Sequence, residues 1–433
     1  MEGHRAGLAN AHGGSIIRYL TLFLFLLLAP TAWSAVLELH GPALGPLLGR
    51  DPATLELARY ANGGFQSVPH QWLAWSDGRQ PYFDKDKDAQ RQQPTNRIGA
   101  GDRLLLRDED AGAARPGALP DNVVATLTLG DAGPKRTLYV LDRPPFQGFP
   151  PAVTLTRSPL AIHTAHYRLN LEDDNLFQWG DFLYDEYQPP ADHGPSLLDS
   201  LKLRLSAGVF SAGARLTLTN ENLDPIIREV IEGPLATLVY ATTRVRVAGL
   251  PVLTVHNYFI LMDNAVAVHS RLTIPGFAAA VLREPSARVT VDGNALEGAR
   301  LRTSWTGDLE ARVDGRLSDP ERDMMEQPVG RENWLWFGTG RGFDLLARLH
   351  FADGFDTAAR FIYQDDPALD DEPERFPGQR PNVGFRLQGL PFGDEFYFVA
   401  ELYFSRDSHG LSAAGWARRQ FAPPAITVNA VSR

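Results

Sequence analysis

The sequence predicts an all-β protein made of packed antiparallel β-sandwiches, of which the central one is large and twisted. Most periodic segments either alternate between apolar and polar residues or form short apolar runs, as strands do. Long segments with helical periodicity are nearly absent. The chain also contains 39 glycines and 32 prolines, which suits many turns between short strands.

The start of the chain, residues 1–35, is predicted to be a cleaved signal peptide. Arg5 and Arg18 supply positive charge, residues 19–29 form an apolar run, and small residues follow, with cleavage expected after Ser34 or Ala35. The run is shorter than the about 20 apolar residues of a membrane span. We therefore expect a periplasmic or secreted protein with no transmembrane segment in the mature chain, and an uncleaved anchor is the minor alternative.

Composition excludes several classes of function. The chain has no cysteine, so disulfides, thiolate chemistry and cysteine-rich zinc sites are excluded and the mature protein depends on its apolar core. The formal net charge is -10 and no basic run is present, which argues against a nucleic-acid partner. No pattern points to a cofactor or a metal, and we expect neither.

Individual elements follow from these patterns in chain order. The segments that we interpret as strands between Gly, Pro, Asn or Asp residues are 37–39, 104–106, 123–129, 138–141, 201–205, 216–218 and 396–404. Two short segments, 54–60 and 411–421, are the best candidates for helices.

A proline-rich segment at 144–151 indicates a domain boundary, because proline cannot sit in a central strand. It separates a predicted N-terminal β-sandwich, 36–145, from a large β-sandwich region, 152–433. The acidic, proline-rich residues 365–381 are interpreted as one long surface loop. Acidic runs are usually solvated. A calcium site in this loop stays an open alternative that its spacing does not support.

The most informative stretch is 239–274, which is predicted to be a three-stranded meander. Asp263 and Asn264 suit a two-residue hairpin turn, which places Tyr258 opposite His269 and His256 opposite Arg271. Side chains alternate between faces, so these four residues share one polar face.

The strand before them could pair in either of two parities. We place Arg244 on the polar face with Tyr240, because the other parity would bury arginines among valines. Two interpretations of this face stay open: the ordinary wetted side of an antiparallel sheet, or a functional cluster of His256, Tyr258, His269, Arg271 and Arg244.

Two further groups carry polar side chains. Aromatic rings beside carboxylates, as a sugar site offers them, occur at Trp179, Asp181, Tyr184, Asp185, Glu186 and Tyr187, although a loop packed on a sheet has the same composition. The alternating carboxylates at 84–88 are similar to a calcium loop. However, Ala89 and Thr95 stand where that loop needs Gly and Glu, so we interpret the segment as a solvated charged turn.

Glu232-Gly233-Pro234, the long alternating strand after it, the segment 254–258 and the strand 265–273 resemble the large β-sandwich of the galactose-mutarotase-like superfamily, which includes sugar epimerases and polysaccharide lyases. The resemblance covers about residues 195–275. It implies that a sugar binds on a concave sheet face through His256, Tyr258, His269 and Arg271. An identifiable partner Glu for acid–base chemistry is missing, which makes epimerisation in particular doubtful.

We therefore expect an exported protein that binds a carbohydrate or similar polyhydroxylated ligand on a polar sheet face, with a carbohydrate or polar polymer as its partner. If it is a lyase, Arg271 or Arg244 would neutralise a sugar carboxylate, His256 or His269 would act as base and Tyr258 as acid. The alternative is a non-catalytic binding or assembly subunit of the bacterial cell envelope with a protein partner. A purely structural envelope component is a third hypothesis.

Overall fold

The computed structural model of the protein describes residues 36–76, 78–88, 96–130, 135–331, 333–351, 358–423 and 425–431. Antiparallel sheets dominate these residues, and the all-β prediction is confirmed. The predicted signal peptide lies outside the described residues. Within the described ranges, no helix has both the length and the apolar character that crossing a membrane requires.

The first β-sandwich packs a three-stranded sheet against a five-stranded sheet. The smaller sheet consists of β1 (Val36–His40), β4 (His70–Leu73) and β7 (Arg103–Arg107). The larger sheet consists of β2 (Leu55–Ala61), β3 (Gly64–Ser67), β8 (Val123–Leu129), β9 (Arg136–Asp142) and β28 (Ile426–Ala430). A short ribbon beside them consists of β5 (Trp75–Ser76) and β6 (Gln80–Pro81).

The last strand of the chain belongs to this first sandwich. β28 pairs with β8, and Ile426 and Val428 pack against the core that fills the space between the two sheets. The first sandwich therefore contains a C-terminal strand in addition to residues from 36–145.

The helix predicted at 54–60 is wrong, since this segment is strand β2. Leu55 and Leu57 are buried in the first core, and β2 pairs with β9 and with β3. Pairing with two neighbouring strands outweighs a short helical pattern. The helix predicted at 411–421 is confirmed as α2 (Ala413–Phe421), with Ser412 as its N-cap.

The second region is organised around a nine-stranded antiparallel sheet. In spatial order its strands are β16 (Leu223–Ile231), β17 (Ala236–Val247), β18 (Leu250–Met262), β19 (Ala265–Thr273), β27 (Glu395–Ser405), β24 (Asp344–Phe351), β23 (Leu335–Gly338), β21 (Arg300–Thr303) and β22 (Ala311–Arg312). A helix, α1 (Asp319–Glu326), follows β22 in the chain.

Two smaller sheets cover one face of the nine-stranded sheet. The five-stranded one is ordered β15 (Arg215–Leu218), β14 (Leu198–Val209), β20 (Leu282–Gly293), β26 (Gln379–Gln388) and β25 (Ala358–Asp366). The four-stranded one is ordered β10 (Thr154–Arg157), β11 (Leu160–His163), β12 (Tyr167–Leu171) and β13 (Trp179–Tyr184). Phe259, Leu261 and Val266 of the large sheet contribute to the core shared with these two sheets.

The first sandwich covers part of the opposite face of the nine-stranded sheet. Trp75 and Phe83 form a small buried cluster with Tyr258 and Ile260. Next to this cluster, the amide of Gln71 donates to the carbonyl of Ala236 at 3.0 Å. The two parts of the molecule therefore share buried apolar and polar contacts.

Candidate functional site

The register predicted for the meander is confirmed. β18 and β19 are joined by the two-residue turn at Asp263 and Asn264, Tyr258 lies opposite His269, and His256 lies opposite Arg271. In the next pair of strands, Tyr240 lies opposite Tyr258. The polar residues therefore share one face, as strand alternation requires.

The first sandwich divides this face into a covered part and an open part. Tyr258 is fully buried beneath Phe83, and His269 is buried with its ring at the edge of Trp75. His256 and Arg271 lie closer to the open end of the strands and line a cleft there. The N-terminal residues that close over the sheet thus decide which polar side chains a ligand can reach.

Asp86 occupies the centre of the covered part. Its carboxylate accepts hydrogen bonds from the hydroxyls of Tyr258 and Tyr240 and, at 3.1 and 3.2 Å, from the Arg271 guanidinium. Because Asp86 is buried, the interpretation of 84–88 as a wholly solvated turn is wrong. A buried carboxylate requires such partners, and the sheet supplies them.

Arg271 links this network to Glu395 on the neighbouring strand β27. Its Nε donates to the Tyr258 hydroxyl at 2.8 Å, and another guanidinium nitrogen donates to Glu395 at 3.2 Å. Arg79 binds the second oxygen of Glu395 at 3.0 Å. The charge of Arg271 is therefore shared between Asp86 and Glu395.

His256 is a titratable side chain that lies where this hydrogen-bond network meets the cleft. Its Nδ1 lies 2.9 Å from the Tyr240 hydroxyl, and its Nε2 lies 3.7 Å from a carboxylate oxygen of Asp88. Burial, and secondly the Arg271 guanidinium, lower the pKa of His256, so the imidazole is neutral at pH 7. A neutral imidazole can accept one proton and donate another.

The cleft itself has a volume of about 440 Å³ and is open to solvent. Charged and polar side chains line part of it, while apolar residues line the remainder. The lining residues are Asp88, Pro251, Val252, Leu253, Thr254, His256, Arg271, Leu272, Thr273, Pro275 and Glu395.

Two of the predicted catalytic residues lie apart from His256 and Arg271. His269 hydrogen-bonds Tyr397, with 2.6 Å between Nδ1 and the hydroxyl, and its pKa is lowered to about 3 by burial and by Arg103. Arg244 is exposed on β17, opposite Thr254 at the edge of the cleft. Tyr258 contacts Arg271 and Asp86 but is closed off from solvent.

The aromatic and acidic group predicted as a sugar contact lies on β13 and in the turn after it. Tyr184 is buried in the core between the nine-stranded and four-stranded sheets, and Tyr187 is buried in the same core. Trp179 packs at its edge, and Asp181 binds Arg375 at 3.2 Å.

Asp185 is exposed in the turn, and Glu186 lies 3.8 Å from Arg406. The core beneath this group contacts the other face of the nine-stranded sheet. The structure therefore does not bring the group to the cleft beside His256.

Sequence reasoning missed three residues of the site: Asp86, Asp88 and Glu395. The charge run at 84–88 was visible, but nothing local showed that it folds over a sheet formed more than a hundred residues later. Glu395 pairs with Thr273 at the start of β27, so it shares the face of Arg271. The alternation of Glu395 and Tyr397 with phenylalanines was the available signal.

Asp86, Asp88 and His256 also satisfy the spacing of a metal site, since each offers a ligand atom within 4.8 Å of the others. Both oxygens of Asp86 are already bonded to hydroxyls and to Arg271. A metal ion would have to displace Arg271 or a tyrosine hydroxyl from these oxygens. The arrangement therefore suits a polar ligand better than a metal.

No protein-family model matches the sequence, and no curated protein is significantly similar to it. Among solved structures, an alpha-mannosidase from Enterococcus faecalis V583 aligns with 93% of this chain at 8% identity and a TM-score of 0.48. The alignment spans 45% of the mannosidase, so this chain corresponds to less than half of it.

Two further matches are to an epimerase homologue and to a heparinase, and sugar epimerases and polysaccharide lyases are the enzymes included in the galactose-mutarotase-like superfamily that the sequence resembles. A GalM/aldose epimerase homologue from C. elegans aligns over 59% of this chain and 99% of its own, at 10% identity and a TM-score of 0.30. Heparinase III aligns over 57% of this chain and 33% of its own, at 9% identity and a TM-score of 0.27. At this level of similarity, neither ligand nor reaction follows from the matches.

Proposed function

We propose that the protein binds an uncharged carbohydrate in the cleft beside His256, and that it does so after export to the periplasm or the cell exterior. The observation that carries the proposal is the lining of the cleft, where a neutral imidazole and two carboxylates stand beside apolar residues. Sugar-binding sites need this combination, because a pyranose has apolar C–H faces and a rim of hydroxyls.

The individual contacts fit hydroxyl groups. The Asp88 side chain is 67% exposed, so its oxygens can accept hydrogen bonds from a ligand. His256 can donate or accept, and the exposed Pro251 and Val252 supply apolar surface. A ligand with several hydroxyls could therefore be held without burying an unpaired charge.

The charges of the cleft disfavour an acidic sugar. Arg271 is the cation of the cleft lining, and it is bonded to Asp86 and Glu395 and lies 4.0 Å from Asp88. A uronate carboxylate would approach Asp88 and Glu395, and among the described residues that line the cleft no cation is free of a carboxylate partner to compensate the repulsion. The exposed Arg244 lies only at the edge of the cleft. This arrangement gives no support to the form of the lyase hypothesis in which Arg271 neutralises the sugar carboxylate, and the form that uses the exposed Arg244 stays open.

A second candidate function is acid–base turnover of the bound sugar. The sequence offered no partner Glu, whereas Glu395 and Asp88 line the same cleft as His256. An imidazole and a carboxylate on one cleft could donate and remove protons on a sugar ring. The non-catalytic envelope subunit remains the alternative, favoured by the exposed Val252 and Leu250 at the same end of β18.

The test is a glycan array that contains neutral and uronate-containing oligosaccharides, with mature protein starting near residue 36. We expect neutral glycans to bind. Asp88→Asn should raise the dissociation constant by about tenfold, because one hydrogen bond to a charged group is lost. Asp84→Asn is the matched control, because Asp84 is an exposed carboxylate of the same turn outside the cleft lining.

Equal losses in the two variants, or binding restricted to uronates, would contradict the proposal. Turnover is followed on the same glycans by product analysis. Loss of turnover in His256→Ala with retained binding would support the enzymatic candidate.

A further inference from the structure

A second cluster of carboxylates lies on the five-stranded sheet, and the cleft lies on the nine-stranded one. Asp199 is on β14, Asp292 is on β20, and Glu374 belongs to the acidic segment 367–378 that joins β25 to β26. Each offers one oxygen, and these oxygens lie within 4.8 Å of one another. The side chains of Asp199 and Asp292 are 1% and 0% exposed.

Each of these carboxylates is held through one of its oxygens. Asp199 Oδ1 accepts hydrogen bonds from the backbone N–H groups of Arg375 and Phe376, at 2.8 and 3.1 Å. Asp292 Oδ2 lies 2.7 Å from the ammonium of Lys202. Outer contacts of this kind orient carboxylates that bind metals.

Glu374 is oriented in the same way. Its Oε1 accepts from Lys202 Nζ at 2.9 Å, from the backbone N–H of Asp371 at 2.7 Å, and from the amide of Gln379. Lys202 and Gln379 thus hold Glu374 against the sheet, in addition to the bonds that Arg375 and Phe376 make with Asp199.

The other oxygen of each carboxylate is buried. Among the described residues, Asp199 Oδ2, Asp292 Oδ1 and Glu374 Oε2 have no hydrogen-bond partner. Asn382 lies opposite Asp292 on β26 and is completely buried, and its side-chain oxygen has no partner among those residues either. The Asn382 amide donates to Gln379 at 2.7 Å, which places it at the edge of the cluster.

The charges of the cluster do not balance. If all three carboxylates are ionised, the ammonium of Lys202, the one lysine among the described residues of the cluster, leaves two negative charges in a buried space. The guanidinium of Arg375 reaches Asp199 only at 4.0 Å and is bonded to Asp181 at 3.2 Å. Buried charge of this size needs a counterion or a proton.

We propose that Asp199, Asp292 and Glu374 bind a divalent cation of the calcium class, with the side-chain oxygen of Asn382 as a further ligand. Hard cations prefer oxygen ligands, and Ca²⁺ accepts an irregular set of carboxylate, amide and water oxygens. The ion would supply two positive charges and fasten the acidic segment to the outer face of the five-stranded sheet. This site does not depend on the carbohydrate proposal.

The experiment is calorimetric titration of Ca²⁺ into mature protein that has been treated with EDTA. We expect one ion per chain, with affinity weakened roughly tenfold or more in Asp199→Asn and Glu374→Gln, since loss of an outer partner alone weakens metal binding by that factor. Asp370→Asn, an exposed carboxylate of the same segment, is the matched control and should bind like wild type.

Wild-type protein supplies a second measurement, which does not depend on whether the variants fold. Ca²⁺ should raise its melting temperature and protect residues 367–378 from limited proteolysis. If folded wild type binds no Ca²⁺ in calorimetry, or if both ligand variants bind as well as the control, the site does not exist. A proton shared between the carboxylates would then be the remaining explanation of the cluster.

Discussion

At the scale of single residues, burial separates two histidines that share one sheet face. His256 lines the cleft, whereas His269 is covered by Trp75 and bonded to Tyr397. Residue type and strand parity were the same for both, so the sequence made them equal candidates. The difference arises because Trp75, which lies far away in the chain, covers only one of them.

The burial of His269 predicts a dependence of stability on acid. Its pKa is about 3 in the folded protein, so the ring stays neutral there while the unfolded chain takes up a proton below pH 6.5. Stability is therefore lost as the pH falls from 6.5 towards 3. At pH 5 the loss is about 2 kcal/mol relative to pH 7, measured as the free energy of unfolding in urea.

His269→Phe should remove this part of the acid dependence, because phenylalanine has no proton to gain. The comparison with wild type subtracts the contributions of the other titratable groups. His193→Phe, at an exposed position, should keep the wild-type dependence. Identical slopes for wild type and His269→Phe would show that His269 does not titrate as described.

At the scale of elements, a short sequence pattern can fit either a helix or a strand, and the presence of neighbouring strands to pair with decides between them. The segment 54–60 has a weak helical pattern but lies between two strands and becomes β2. The segment 411–421 has a capping Ser412 and belongs to no sheet among the described residues, and it forms α2, which packs on Leu346 of β24. Long alternating strands such as β18 and β27 were predictable because alternation over many residues fits only one structure.

The last strand, β28, gives an element-scale prediction. Val428 faces the first core and Thr427 faces solvent. Val428→Lys should lower the free energy of unfolding by about 2 kcal/mol, because it replaces packed apolar surface with a charge. Thr427→Lys, one residue away, should change it by less than about 0.5 kcal/mol. Similar effects of the two substitutions in urea denaturation would exclude this role for β28.

At the scale of the whole molecule, the first sandwich and the nine-stranded sheet unfold together in our interpretation, because they share a buried interface. Gln71 bridges this interface: its side-chain amide accepts from the backbone N–H groups of Leu235 and Ala236 and donates to the carbonyl of Ala236. A side chain that satisfies three buried backbone groups couples the two parts strongly.

Gln71→Met keeps the length of the side chain but removes these hydrogen bonds. We expect a loss of about 2 to 4 kcal/mol, because the backbone groups stay buried without partners. Differential scanning calorimetry should show a single transition at lower temperature. Gln188→Met, at an exposed site, should melt like wild type. Two separate transitions in wild-type protein would refute the coupling.

The sequence by itself determined the class of the fold and the register of the central meander. Strand alternation has a period of two, and a shift by one residue would have buried arginines, so local pattern fixed which side chains share a face. Asp263 and Asn264 fixed the turn for the same local reason.

Only the tertiary structure decided how that face is used. Asp86 reaches Tyr258 across 172 residues of chain, and the aromatic group at 179–187 packs beneath the opposite face of the same sheet. No periodic pattern reports such contacts, because they depend on which distant surface is buried against which. Alternation assigns a side chain to a face, whereas long-range packing determines whether water or a ligand can reach it.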